Sequence, residues 1–334
     1  MRLMCSPDFL SLSRFHPDTI QAQTYQLDNG TQIEVIAPGI IACTPTTPYQ
    51  KAVVLSSGVH GNETAPIEIC SAILNDILNN KLQLKQRVLF LFGNLTAMNQ
   101  ATRFVEENMN RLFMSDLADT SLEARRANVL MQAMNTFFVS SSSAERLHYD
   151  LHTAIRPSIN EKFAVYPFLN GKPYSKAQLA FLNSCGVSTI LLSQSPTTTF
   201  SYYSSVSHQA HAFTIELGKV MPFGENEMQR FVQVDRSLRA LLSQRKILLD
   251  ESVVTTMDIY SVNQVINKNQ PDFSLHFPED APNFSQFAAG ELLASETGKQ
   301  YYSQQDGEAI VFPNANVAIG QRALLTVVPH TLDE

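Results

Sequence analysis

Apolar positions along this chain recur with two periods, and the order in which they alternate lays out a fold. The run Lys51-Ala-Val-Val-Leu-Ser-Ser57 reads as a buried strand. Thr64 to Asn80 follows, with Ile67, Ile69, Cys70, Ile73, Leu74, Ile77 and Leu78 at a spacing that predicts a helix. Arg87-Val-Leu-Phe-Leu-Phe92 is apolar throughout, as expected of a central strand covered on both faces. Further strands are predicted at 31–37, 147–151, 163–166, 189–192 and 212–217, and helices near 121–138, 174–184 and 225–245. Strands alternating with helices predict an α/β class with a mixed, mostly parallel sheet flanked by helices.

After about residue 250 the pattern changes. Short β-rich pieces, Val253-Val-Thr-Thr-Met-Asp-Ile-Tyr260, Glu308-Ala-Ile-Val-Phe312 and Ala323-Leu-Leu-Thr-Val-Val328, are broken by Pro, Asn and Gly. They predict a smaller all-β domain over 251–334 behind an α/β domain over 1–250. A chain of 334 residues, 44% hydrophobic, has enough apolar material for both cores. No internal repeat, heptad run or low-complexity tract interrupts this layout.

Composition narrows the function. A formal net charge of −7 provides no overall positive field for nucleic acid or an anionic membrane surface, so an anionic substrate must be captured by locally placed arginines. The amino terminus lacks the apolar core of a signal peptide, and no segment approaches the roughly 20 apolar residues that span a bilayer. Cys5, Cys43, Cys70 and Cys185 are scattered without CxxC pairing, which suits a reduced, cytoplasmic setting. Association with further copies is compatible with all of this.

The apolar run over 51–57 hands over to Gly58-Val-His-Gly-Asn-Glu63, which displays His60 and Glu63 just past a strand's carboxyl end, where open α/β sheets collect ligands. His-x-x-Glu alone is common by chance, and a surface turn with a glutamate favoured at a helix start is the plain alternative. A second element, His148-Tyr-Asp-Leu-His-Thr153, puts His148, Asp150 and His152 on one strand face and Tyr149 and Leu151 on the other. Catalytic zinc takes three protein ligands, His₂Glu among the known sets, and leaves one position open. His60, Glu63 and His152 supply that set, with one zinc per chain. Asp150 either orients a ligating imidazole or pairs with an arginine. Reading His148 as a ligand would leave the His60/Glu63 pair unexplained, so His148 is taken as structural.

In Ala212-Phe-Thr-Ile-Glu-Leu-Gly218 a single carboxylate, Glu216, interrupts an apolar strand. Such a charge is costly unless it has a partner or a task, and the task here is general base beside a metal-activated water; an edge strand with Glu216 in solvent is the alternative. Arg103, Asn110 and Arg111 lie in Ala101-Thr-Arg-Phe-Val-Glu-Glu-Asn-Met-Asn-Arg-Leu-Phe113. They are candidate carboxylate anchors, arginine's fork suiting that role better than lysine's point charge, but charge spacing alone does not separate them from solvated helix charges.

Gly58-Val-His-Gly-Asn-Glu-Thr-Ala-Pro66, Asn110-Arg-Leu-Phe113, Asp150-Leu-His-Thr-Ala-Ile-Arg156 and Thr214-Ile-Glu-Leu-Gly218, in this order, resemble the zinc carboxypeptidase superfamily, in the branch that holds aspartoacylase and succinylglutamate desuccinylase. The segment Asp150–Arg156 and the overall length favour the desuccinylase side. The resemblance implies zinc on His60, Glu63 and His152, Glu216 as catalytic acid/base, and substrate held by Arg103, Asn110 and Arg111. It also implies an appended β domain and hydrolysis of N2-succinylglutamate to succinate and glutamate, the last step of arginine breakdown by the succinyltransferase route. That substrate carries three carboxylates, so Arg156 joins Arg103 and Arg111 as a candidate cation, a loop salt bridge being its alternative role. Lys162, Lys219, Tyr166, Tyr202 and Tyr203 are further pocket candidates, and His208 and His211 are read as structural. Two alternatives stand beside this reading: zinc hydrolysis of another N-acyl amino acid, and a metal-binding protein without turnover.

Overall fold

The computed structural model describes residues 8–141 and 144–332. Cys5 and the extreme amino terminus, from which compartment was read above, lie outside the described residues. The strands are β1 (Gln23–Gln26), β2 (Gln32–Ala37), β3 (Ile40–Thr44), β4 (Lys51–Ser57), β5 (Arg87–Phe92), β6 (Glu145–Ala154), β7 (Phe163–Tyr166), β8 (Thr189–Leu192), β9 (His211–Lys219), β10 (Asp258–Asn267), β11 (Ser274–Leu275), β12 (Gln286–Phe287), β13 (Leu292–Glu296), β14 (Lys299–Tyr302), β15 (Glu308–Val311) and β16 (Arg322–Pro329). The α-helices are α1 (Phe9–Phe15), α2 (Thr64–Leu78), α3 (Leu95–Gln100), α4 (Leu122–Val139), α5 (Lys176–Ser184), α6 (Phe200–His208) and α7 (Val232–Ser243).

The centre of the molecule is the parallel run β5-β4-β6-β9. Its strands are covered on both faces because successive side chains point opposite ways. Val53, Leu55, Val88 and Phe90 pack with α2, α5 and α7, while Ala52, Val54 and Leu89 pack with α4 and α6. Fully burying a Val, Leu or Phe side chain contributes about 1.5–3 kcal/mol, so this double cover fixes the positions of the strand ends that carry the site. Strands β1, β2 and β3 extend one edge in antiparallel fashion.

On the other side the sheet continues through β7 and β8 into β10, which runs parallel to β8 and leads into antiparallel β16, β15 and β12. A separate small sheet, β11-β13-β14, closes over Ile266, Phe273, Leu293, Tyr301 and Leu324. The fold is thus a large mixed sheet with flanking helices plus a smaller strand-rich carboxy-terminal domain. Phe163 and Leu191 pack against Phe284, Val311 and Val327, which seats that domain on the α/β body. Among the described residues no helix is long and apolar enough to cross a membrane.

Two local readings differ from the structure. The strand expected over 253–260 begins only at Asp258, because the Asp250 carboxylate accepts the Ser252 N–H and Glu251–Thr256 winds into a 3₁₀ turn. The helix expected over 225–245 is α-helical from Val232, preceded by a 3₁₀ turn over Met228–Phe231.

A candidate metal centre and its pocket

The turn after β4 is shaped by glycines. Gly58 has φ +68°, and a Cβ at Gly61 would stand 2.3 Å from backbone atoms of Ala97 and Met98. That close approach seats the turn, with His60 next to Gly61, against the middle of α3. Glu63 occupies the N-cap of α2 but makes no capping bond; its carboxylate turns into the site instead. Oε1 meets His60 Nδ1 at 2.8 Å and accepts from Arg103 Nη1 at 2.7 Å. Oε2 meets His152 Nδ1 at 2.8 Å and accepts the Thr153 N–H at 3.1 Å.

His152 arrives on β6, where the alternation expected from sequence places Tyr149 and Leu151 in the core. Glu216, on neighbouring β9, is paired in register with His152. Ligand atoms of His60, Glu63 and His152 all lie within 4.8 Å of one another, and the three residues are buried. The cluster can therefore hold a metal ion.

The donor chemistry asks for a cation there. Asn108 Oδ1 accepts the Asn110 N–H, so it must also be the acceptor facing His60 Nε2 at 2.9 Å, and that ring nitrogen carries the hydrogen. Burial and the Arg103 charge lower the His60 pKa to about 4, leaving the ring neutral with its Nδ1 lone pair against a carboxylate oxygen. A lone pair 2.8 Å from a carboxylate is repulsive unless a positive centre stands between them. His152 is held from behind as well, its Nε2 3.0 Å from Asp150 Oδ2; burial would lower its pKa, but the charges of Asp150 and Glu63 hold it well above the ordinary imidazole value. Burial alone would raise the Asp150 pKa, but His152 holds it below its ordinary value, so the group stays ionised. Burial would likewise raise Glu63, yet the two imidazoles and Arg103 keep it well below the carboxylate range.

Glu216 differs from both. It is buried, its Oε2 has no hydrogen-bond partner among the described residues, and burial aided by the charge of Glu63 pushes its pKa up to about 7. It lines one pocket with His60, His152, Arg103, Asn110 and Arg111. Asn110 is held by the Phe200 N–H, which its Oδ1 accepts at 3.0 Å. Arg111 donates to the Asn110 carbonyl at 2.9 Å, and burial beside Arg103 lowers its pKa to about 10.

Arg156 is placed elsewhere. Its guanidinium donates to the carbonyls of Glu279, Ala281 and Pro313, tying the end of β6 to the carboxy-terminal domain. Lys162, Lys219, Tyr166, Tyr202 and Tyr203 do not line the pocket. His148 is buried between Ser56 and Ser204, and His208 packs against Phe138 and Tyr203.

Sequence reasoning passed over Asn108, which aims His60, and Glu123, whose buried carboxylate accepts from Asn94 Nδ2 and from the N–H groups of Val105, Glu106 and Glu107. Glu123 thereby holds the loop that presents Arg103 and Asn110. The local clue was a lone Glu123 early in an otherwise apolar helix face.

A family model described as the succinylglutamate desuccinylase/aspartoacylase catalytic domain matches residues 49–242, and one described as the AstE/AspA barrel-sandwich hybrid domain matches residues 255–330. A succinylglutamate desuccinylase of Pseudoalteromonas atlantica is 55% identical over 332 residues, covering 97% of this chain and 95% of that relative. The corresponding protein of Idiomarina loihiensis is 50% identical over 327 residues, covering 96% and 95%. The X-ray structure of a succinylglutamate desuccinylase from Vibrio parahaemolyticus aligns with a TM-score of 0.88 at 35% identity, over 98% of this chain and 96% of that one. Murine aminoacylase 3 shares the fold, with a TM-score of 0.56 at 16% identity over 85% of this chain and 97% of its own. Both parts matched in order, together with identity of half or more along nearly the whole length, show that this chain belongs to the succinylglutamate desuccinylase/aspartoacylase family.

Proposed function

We propose that this protein hydrolyses N2-succinyl-L-glutamate to succinate and L-glutamate with one zinc ion held by His60, Glu63 and His152. The observation that carries the reading is the convergence of those three side chains beside a buried carboxylate, Glu216, whose Oε2 has no hydrogen-bond partner among the described residues, in a pocket that also contains Arg103 and Arg111. The names of relatives that match along nearly the whole chain support the substrate; a place at the end of arginine breakdown is what the sequence resemblance implies. A purely structural tetrahedral zinc site needs four protein ligands; among the described residues this cluster offers three.

When bound, the ion would polarise the scissile carbonyl and acidify a water molecule. Glu216 accepts the proton of that water as its oxygen bonds to the succinyl carbonyl carbon. When the carbon–nitrogen bond breaks, Glu216 returns the proton to the departing glutamate nitrogen. A pKa raised by burial suits a group that must both take and give a proton near neutrality. Arg103, bonded to Glu63 and facing the pocket, stabilises negative charge developing on the carbonyl oxygen. Asn110 and Arg111 hold substrate carboxylates. Asp150 keeps the His152 ring aimed, and its charge raises that ring's basicity.

We also place the boundary between catalytic and β domains at residues 250/251, a reading supported by the gap between the two matched segments, which contains it.

Glu216→Gln tests the central role. It should keep stoichiometric zinc while N-succinylglutamate hydrolysis falls by a factor on the order of 10²–10⁴. Full activity in that variant would remove Glu216 from the mechanism. Release of aspartate from N-acetylaspartate in preference to glutamate from N-succinylglutamate would move the substrate to the aspartoacylase side.

A further inference from the structure

Arg322 was not singled out by the sequence, and the reaction above makes no use of it. It begins β16, paired in register with Asn267 of β10, yet its side chain enters the same pocket as His60, His152 and Glu216. Among the described residues no carboxylate lies within ion-pair distance of its guanidinium. Its Nε is buried without a hydrogen-bond partner, and the group sits over the Phe312 ring, 5.4 Å from the centroid.

Two inward-facing arginines outside the pocket, by contrast, are tied to the protein by several hydrogen bonds each. Arg126 donates to the carbonyls of Gly93, Pro38 and Phe92. Arg87 reaches Thr44, Ser140, Ser141 and the Phe137 carbonyl. Burial, followed by the like charges of Arg111 and Arg103, lowers the Arg322 pKa to about 9, a cost that a bound anion would relieve.

Arg103, Arg111 and Arg322 line one pocket. Arg103 touches Glu63 of the metal cluster, and its charge acts on Arg111. Arg111 leads the charges acting on Arg322, with Arg103 second. In the sheet order β6-β9-β7-β8-β10-β16 the strand that carries Arg322 stands four places from β9, which carries Glu216, and five from β6, which carries His152. Arg322 therefore enters the pocket from a strand remote from those that carry His152 and Glu216. Phe312 beneath it packs with Val262 and Leu325, so these three form an apolar stretch of the pocket wall beside Arg322.

We propose that Arg322 is a specificity-determining residue that binds a substrate carboxylate remote from the scissile amide, so that the carboxy-terminal domain takes part in selecting the substrate. The inference rests on the proposed hydrolysis of N-succinylglutamate. In that molecule the α-carboxylate adjoins the amide, whereas the succinyl terminus and the glutamate side chain each hold a carboxylate off by a two-methylene spacer. The apolar wall accommodates such a spacer, and the guanidinium takes the carboxylate at its end through charge-assisted hydrogen bonds.

The test measures kcat/KM of wild type, Arg322→Leu, Arg322→Gln and Arg322→Lys on three amides: N-succinylglutamate, N-butyrylglutamate (methyl for the succinyl carboxylate) and N-succinylnorvaline (methyl for the side-chain carboxylate). Ki replaces kcat/KM for an analogue that is not turned over. Arg322→Leu should lose on the order of 10–100-fold on N-succinylglutamate, mainly through KM, with Arg322→Lys in between. On the analogue lacking the carboxylate that Arg322 meets, the loss should shrink to within about twofold. A loss that vanishes on the butyryl amide assigns Arg322 to the acyl end; one that vanishes on the norvaline amide assigns it to the amino-acid end.

Equal losses on all three substrates, or no loss on any, would overturn the proposal. Titrating N-succinylglutamate into Glu216→Gln protein with and without Arg322→Gln reads the binding loss without turnover and covers a leucine variant that fails to fold. A wild-type protein that leaves N-succinylglutamate intact would sink the functional reading itself, an outcome distinct from active wild type with an indifferent Arg322.

Discussion

Exchange of Asp150 for asparagine probes how the metal cluster is aimed. The carboxylate is fully buried and its oxygens face different partners: Oδ1 accepts the Ser56 hydroxyl at 2.5 Å, and Oδ2 faces His152 Nε2 at 3.0 Å. Asparagine keeps the shape but offers one acceptor and one donor. With its oxygen toward His152, the amide NH₂ meets Ser56 Oγ, which can accept it and turn its own proton to His148 Nε2, 2.8 Å away. The network closes again, the His152 tautomer is preserved, and only the negative charge behind the imidazole is lost. Replacing a carboxylate behind a ligating histidine typically weakens metal affinity by about 10–100-fold. That corresponds to roughly 1.4–2.8 kcal/mol. Competition against a chromophoric zinc chelator, with circular dichroism confirming the fold, reads the change directly. A zinc Kd equal to that of wild type would refute the claim that Asp150 supports the ligand.

Other expectations follow from the same geometry. In chelator-treated protein Glu216 carries a pH-dependent cost, because burial and Glu63 raise its pKa from 4.5 to about 7. An acid whose pKa rises on folding destabilises the fold above its unfolded value, and fully so above its folded one. Glu216→Gln should therefore stabilise the metal-free protein at pH 8, by at most about 3 kcal/mol, and leave it unchanged at pH 4; equal melting shifts at both values would contradict this. Glu123→Ala removes the acceptor for three backbone N–H groups and Asn94, and should cost about 3 kcal/mol in urea unfolding. It should also reduce kcat/KM by loosening the loop that carries Arg103, whereas an unaltered kcat/KM would show that the loop holds its shape without Glu123.

What the sequence disclosed and what it concealed divide along a physical line. The β6 alternation was legible because one face enters an apolar core, Tyr149 and Leu151, and the other carries His148, Asp150 and His152. The turn after β4 was legible because its glycines permit a backbone approach that other residues would block. Helix α6 escaped notice because its buried face mixes Phe200 and Tyr203 with polar Ser201, which meets Thr214, and Ser204, which meets His148, so no continuous hydrophobic period marks it. Arg156, four residues after His152 in sequence, leaves β6 at its end and is taken up by carbonyls from 279–313, an outcome set by domain packing. Arg322 is the converse, a residue with no local signal that tertiary structure brings into the pocket.

Metal content of the purified wild-type chain beside His152→Ala, by plasma mass spectrometry, tests the central claim most directly. Wild type should carry one zinc per chain and His152→Ala close to none. Stoichiometric zinc retained by His152→Ala would contradict the assignment of His60, Glu63 and His152 as one ligand set.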